Sequence, residues 1–144
     1  MKNNKGFSLV ELIIVIAIMA VLVGVLAPTY LQYVEKSKKS NDVSTVDSVV
    51  NAVEIAAIDP VVVGTDTTAT LTIEVTTSGI TITPASSAWR DAVLEAVGDA
   101  KLKSFSSVKF TATRDAGTGK VTFAYDPSVS QDFKDYAVQI SKLQ

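Results

Sequence analysis

Glu11 stands where an ionisable group is costly. It lies inside the run Phe7 to Ala27, FSLVELIIVIAIMAVLVGVLA, in which Ser8 is the only other polar residue. A carboxylate at membrane depth costs roughly 2.5–3.5 kcal/mol near a helix centre and less near an interface, and such groups usually have a partner. Either Glu11 sits at headgroup level and is solvated, or it neutralises a cation. Hydrolysis of the Gly6–Phe7 bond would supply that cation. The new α-amino group would stand four residues before Glu11, one helical turn away on the same face. The two could pair within one chain or between neighbours.

The remaining carboxylates gather more loosely. They are Asp59 with Asp66, Asp91 with Glu95, Asp99, and Asp126 with Asp132 and Asp135. Asp91 and Glu95 are at i,i+4, close enough on a helix to share a cation, although like-charged surface pairs at that spacing are common. Asp126, Ser128, Asp132 and Asp135, beside Pro127, bring together in sequence the oxygen ligands a calcium ion prefers. The chain contains no Cys and no His. That removes nucleophile triads, thiolate zinc sites, disulfides and redox motifs. No residue set points to catalysis, so the expectation is a protein that is not an enzyme, with no cofactor and no metal.

The element that must position Glu11 is long. Phe7 to Ala27 spans about 31 Å as a helix, the thickness of a bilayer's hydrocarbon core. It exceeds the short apolar stretch of an ordinary secretory signal, and no A-x-A-like cleavage site ends it. Lys2 and Lys5 precede it while Lys36, Lys38 and Lys39 follow, so a count of flanking lysines does not orient it. Pro28 follows at once. Its ring crowds the carbonyl of Gly24, itself a weak helix residue, and the pair makes a flexible point in a rigid rod. Alternatively, Pro28 simply marks the membrane exit.

Lys5-Gly6-Phe7-Ser8-Leu9-Val10-Glu11, with the apolar run and Pro28 behind it, resembles the class III signal of type IV pilins and the related pseudopilins. The likeness covers roughly the first 55 residues. It implies a leader of residues 1–6, cut after Gly6 by a membrane-embedded prepilin peptidase that also N-methylates Phe7. It further implies that Glu11 pairs with the Phe7 amine of an adjacent subunit and sets axial register during assembly. The leader would stay cytoplasmic and the rest face outward, which supplies the orientation. A proline matching Pro28 accompanies, in that family, a segment that loses helical order inside the filament, so residues 20–28 are expected to stretch. Loss of Lys2 and Lys5 with the leader shifts the side-chain charge from −2 to −4.

Past Pro28 the helical pattern resumes. Val43, Val46, Val50, Val53 and Ala57 recur at 3-4-3-4 spacing as one apolar stripe, with Asp42, Asp47 and Asn51 on other faces. Pro60 disfavours helix at Asp59, so the helix should end near Ile58, giving a kinked rod of about 52 residues and ~78 Å from Phe7. After a Val-Gly-Thr-Asp loop, residues 69–75 and 80–83 alternate polar and apolar about a Ser78-Gly79 turn, a hairpin. Ser87 can cap a helix of residues 88–97 with Trp89, Val93, Leu94 and Val97 on one face and Gly98 as its stop. Residues 108–113 and 121–125 form a second hairpin around Gly117 to Gly119. Phe133, Tyr136, Ala137 and Ile140 predict a terminal helix, a last strand being the alternative.

These elements predict an α+β fold, with a long kinked N-terminal α-helix packed against a C-terminal antiparallel β-sheet, the pilin fold in the family's terms. The expected segments are the 1–6 leader, a 7–28 transmembrane and filament-core helix, a 29–59 amphipathic helix and a 60–144 β-rich head. The resemblance implies a prepilin polymerised with itself into a type IV pilus. The implied partners are the prepilin peptidase, the inner-membrane assembly platform with its ATPase, minor pilins, and the membrane before assembly. The protein would be a single-pass membrane precursor and later an extracellular filament. A major pseudopilin of a type II secretion or DNA-uptake system is the alternative, and a monomeric anchored binding domain, which needs neither Gly6 nor Glu11, is a third.

Overall fold

The computed structural model describes residues 6–115 and 117–139. The leader residues before Gly6, and Ile140 of the expected terminal helix, lie outside the described residues. The chain divides into two compact units, residues 1–36 and 37–144. Helix α1, Leu9–Ala57, contributes to both.

In the first unit α1 runs unbroken through Gly24 and Pro28. Its large apolar residues from Leu9 to Leu26 are all exposed, so this unit has no core of its own. It is long and apolar enough to cross a membrane.

The second unit builds a core because its elements are amphipathic with matching periods. Residues Val43, Val46, Val50, Val53 and Ala57 of α1 are buried, as their helical spacing predicts, and Val49 is buried beside them. Asp42 departs from the expected pattern: rather than facing away from the core it is wholly buried. After Ala57 the chain closes with Asp59 N–H donating to the Ala56 carbonyl at 3.3 Å. Helix α2, Pro60–Thr65, occupies most of the stretch expected as loop. Asp59 caps it by accepting from Val61 N–H at 2.8 Å, and Pro60 stands at its first position, where its missing N–H costs nothing.

Strands β1 (Thr70–Thr76) and β2 (Ile80–Thr83), helix α3 (Ala88–Val97), and strands β3 (Ser107–Arg114) and β4 (Val121–Tyr125) follow. Ser87 caps α3 by accepting from Arg90 N–H at 3.1 Å. Gly98 ends it at φ 62, a left-handed conformation that glycine tolerates best. All strand pairs are antiparallel and the sheet order is β2-β1-β3-β4. The two expected hairpins are present, and β1 joins them by pairing with β3, Ile73 opposite Phe110 and Leu71 opposite Ala112.

Leu71, Ile73 and Val75 of β1 with Val108, Phe110 and Ala112 of β3 point into one core with the α1 valines, Trp89 and Val93. Trp89 is fully buried and donates from Nε1 to the Val53 carbonyl of α1 at 3.0 Å. It is therefore a core anchor. The terminal helix α4, Gln131–Tyr136, is followed by a 3-10 turn, Ala137–Gln139. The helical alternative thus holds over the described part. The architecture is α+β as expected, a helix packed against a four-stranded antiparallel sheet.

Candidate functional site

The first turn of α1 is a capping box. Ser8 is its N-cap, and Glu11, three residues on, reaches back so that Oε2 accepts from Ser8 N–H at 2.8 Å. Ser8 Oγ accepts in turn from Val10 N–H at 3.4 Å, and the Ser8 carbonyl accepts from Leu12 N–H at 3.2 Å. The pattern Ser-x-x-Glu is readable in the sequence, although a carboxylate in an apolar run draws attention first to its depth in the membrane and to a cation that could neutralise it. In the uncleaved chain Glu11 thus has a local partner. Phe7 stands before the cap and is 94% exposed. Phe7 and Glu11 therefore do not sit one helical turn apart here, because the helix starts two residues after Phe7.

Gly6 and Phe7 lie outside helical structure. A Cβ at Gly6 or at Gly24 would meet open space, so neither glycine is required by packing within the chain. Pro28 leaves the Gly24 carbonyl without its helical donor.

Among the described residues of the second unit two charged side chains are buried. Asp42 accepts from three consecutive backbone N–H groups, those of Lys103 at 2.7 Å, Ser104 at 2.7 Å and Phe105 at 3.0 Å. It ties α1 to the loop before β3. Arg114, at the end of β3, is 9% exposed. Its Nη2 donates to the carbonyls of Asp66 and Thr68, and its guanidinium lies 5.1 Å from the Trp89 ring. Sequence reasoning ended that strand one residue early. Extended by one, the alternation that buries Val108, Phe110 and Ala112 also buries Arg114.

Asp66 works as a second cap for α3, accepting from Ser87 Oγ at 2.6 Å and from Trp89 N–H at 2.7 Å, while its other oxygen accepts from Thr68 N–H. Burial works against its charge, but the hydrogen bonds from Ser87, Thr68 and Trp89 outweigh it and hold the carboxyl well below its ordinary range. Asp115 is lowered by the hydrogen bonds of Thr118 and Gly117. Asp126 is lowered by those of Ser128, with the charges of Lys109 and Lys134 adding to them. Burial pushes the Tyr125 hydroxyl up to about 12.

The acid groups singled out in the sequence are dispersed into separate contacts. Asp132 pairs with Lys39 at 2.8 Å and Asp135 accepts from Gln131 at 2.9 Å. Asp126 accepts from Ser128 N–H and lies 3.8 Å from Lys109. Asp91 pairs with Arg90, and Asp99 with Lys101. Among the described residues no three Asp, Glu, His or Cys side chains converge as a metal site would require. Asp59 and Asp66 each cap a helix.

Comparison with known proteins bears on the N-terminal segment. Residues 1–27 match the family model described as the prokaryotic N-terminal methylation motif. Over 59 residues the chain is 37% identical to a fimbrial protein of Pseudomonas aeruginosa, covering 41% of this chain and 38% of that protein. It is 39% identical over 56 residues to Fimbrial protein Q of Moraxella bovis, covering 39% of this chain and 36% of that one. It is 36% identical over 56 residues to the type IV major fimbrial protein FimA of Dichelobacter nodosus, with the same two coverages. The chain thus spans less than two-fifths of the length of these curated relatives. No solved structure matches it.

Proposed function

Proceeding from an N-terminal segment of the type IV pilin kind, we propose that this protein is a prepilin, the structural subunit that polymerises with itself into a type IV pilus. The observation that carries the reading is the first unit: a helix whose large apolar side chains from Leu9 to Leu26 are all exposed and which carries a carboxylate in its first turn. A membrane satisfies such a segment before assembly, because its backbone bonds are internal and only its side chains need an apolar surround. Copies of the same helix satisfy it afterwards. In lipid these side chains are already out of water, so transfer into a filament gains helix packing rather than hydrophobic energy.

Glu11 supplies selectivity. Cleavage between Gly6 and Phe7 creates an ammonium group, or a methylammonium after N-methylation of Phe7, and Glu11 of a neighbouring subunit neutralises it. The Ser8 N–H that Glu11 holds in the precursor is a weaker partner than a full charge. Gly24 and Pro28 give the helix a place to yield under tension. In this reading residues 1–6 are the leader, 7–28 the membrane and filament-core helix, 29–59 the amphipathic helix and 60–144 the head. Prepilin peptidase, the inner-membrane platform with its ATPase and minor pilins act on the subunit, which ends on the cell surface. No observation favours the pseudopilin alternative.

The test is mass spectrometry of the N-terminal peptide from sheared surface material and from the membrane fraction. A peptide beginning at N-methylated Phe7 and abundant in the sheared material is expected. Processed Phe7 confined to the membrane would overturn the surface filament, and an intact Lys2 or Met1 start in both fractions would overturn the prepilin reading as a whole.

A further inference from the structure

In the first unit α1 carries polar groups at two levels. Glu11 stands in its first turn, and past Pro28 come Tyr30, Tyr33 and Lys36 at three-residue steps. Such steps keep neighbouring side chains on adjoining parts of one face. Tyr30 is 66% and Tyr33 72% exposed, and Lys36 is exposed as well, so the described residues of the chain leave this band uncovered. Between the two levels, residues 12–29 contain one polar side chain, Thr29. The helix is unbroken over this stretch, and its rise puts Glu11 and Tyr30 about 29 Å apart along the axis. The hydrocarbon layer of a bilayer is ~30 Å thick.

We propose that Glu11 at one end, and Tyr30, Tyr33 and Lys36 at the other, fix the depth of the precursor in a phospholipid bilayer, each band lying in one headgroup layer. The proposal rests on the membrane-inserted precursor of the prepilin reading and deepens it by naming the residues that hold the helix in register. Two registers are open. Centring the apolar run Phe7 to Ala27 puts Ala17 at the midplane. Glu11 then lies about 6 Å inside the hydrocarbon, while Tyr33 and Lys36 stand about 9 and 14 Å beyond its other edge. A headgroup layer is only ~5–8 Å thick. Sliding the helix by about three to four residues puts Ala20 and Val21 at the midplane. Glu11 and Tyr30 then each meet an edge of the hydrocarbon, Tyr33 lies among the headgroups, and Lys36 reaches back to their phosphates along its apolar stem. Phe7, Leu9 and Val10 move to the interface, an apolar loss offset by lifting the carboxylate clear of the hydrocarbon and bringing two tyrosines and a lysine to headgroup level. The chemistry selects phospholipid as the occupant. A tyrosine joins an apolar ring to a polar hydroxyl, the combination that gathers at the membrane–water boundary, and an ammonium complements a phosphate. The spacing of the two bands also matches a thickness that lipid sets. In this register Glu11 is solvated before assembly, and the Gly6–Phe7 bond ahead of it lies outside the hydrocarbon, where the water its hydrolysis consumes is present.

The chain has no cysteine, so a depth scan needs one substitution per sample. The full chain carrying Ala17→Cys, Ala20→Cys, Val21→Cys or Gly24→Cys is spin-labelled and reconstituted in vesicles of phosphatidylethanolamine and phosphatidylglycerol. Depth is read as accessibility to oxygen, which concentrates at the bilayer centre, against accessibility to a water-soluble nickel chelate. The deepest label is expected at Ala20 or Val21. Adding Tyr30→Ala, Tyr33→Ala and Lys36→Gln together leaves the apolar run intact, and the deepest position should then move to Ala17, a shift of roughly 5 Å along the helix. A deepest label at Ala17 or Gly24 without those three substitutions, or the same deepest position with and without them, overturns the depth assignment and leaves the membrane precursor standing. Labels that all meet the nickel chelate as freely as in water overturn the membrane precursor itself.

Discussion

Replacing Asp42 by Ala should unfold the head more readily than any surface substitution, and the structure sets the size. Asp42 is wholly buried, and its two oxygens take the N–H groups of Lys103, Ser104 and Phe105 at 2.7, 2.7 and 3.0 Å. A hydrogen bond to a charged acceptor contributes ~1.5–3 kcal/mol, and a buried donor left without a partner costs of that order. Three such donors share one acceptor group, so their losses are not additive, and water entering the space left by the carboxylate recovers part. The expected destabilisation is about 3–5 kcal/mol, a large share of the ~5–15 kcal/mol that holds a domain together. Asp42→Asn separates volume from chemistry. Its amide oxygen can keep Ser104 and Phe105, but its NH₂ then faces the Lys103 N–H, donor to donor, for about 2 kcal/mol. The assay is urea unfolding of the detergent-solubilised full chain, followed by fluorescence of Trp89, the single tryptophan and fully buried in this core. With a slope of about 2 kcal/mol/M, the Ala variant's midpoint should drop by about 2 M. A drop below about 0.5 M, or an Asn variant that melts with the wild type, would refute the view that this carboxylate fastens α1 to the loop before β3.

Asp66 gives the pH dependence. Its folded carboxyl titrates below its unfolded value, so between the two the unfolded chain binds the proton and stability rises with pH. The contribution is complete above the ordinary carboxylate range and is lost as pH falls beneath it. Asp66→Asn should therefore flatten the acid limb of a melting-temperature profile while lowering stability at neutral pH, and an unchanged acid limb would count against the hydrogen bonds assigned to it. Pro28→Ala restores a backbone N–H to the Gly24 carbonyl and removes the ring, favouring helix by up to ~3 kcal/mol. Slower amide hydrogen exchange over residues 20–27 in detergent, and filaments that extend less under load, are expected; exchange as fast as wild type would remove the proposed flexible point.

What the sequence determined by itself is what near neighbours along the chain control. The apolar run with Glu11 in it, the valine stripe of α1, the alternation of both hairpins, and α3 from the Ser87 cap to the Gly98 stop were all legible. Each rests on a period of 3.6 or 2 or on a cap a few residues away. The Asp59-Pro60 start of α2 and the Ser8-to-Glu11 box are equally local, and were readable signals that the expected loop and the membrane-charge reading passed over. Tertiary structure decided where one side chain meets another far along the chain. Asp42 finds its partners 61 to 63 residues away, and Arg114 its carbonyls 46 and 48 residues back. The pairing of β1 with β3, which turns two hairpins into one sheet, is also long-range. The alternation of β3 runs on to Arg114, but nothing near Asp42 or Arg114 in sequence names their partners, because an acid or a guanidinium is stable inside a protein only when distant backbone groups arrive to satisfy it. The helix that would build the filament is written in consecutive residues, whereas the buried charges of the head exist only once the chain has folded.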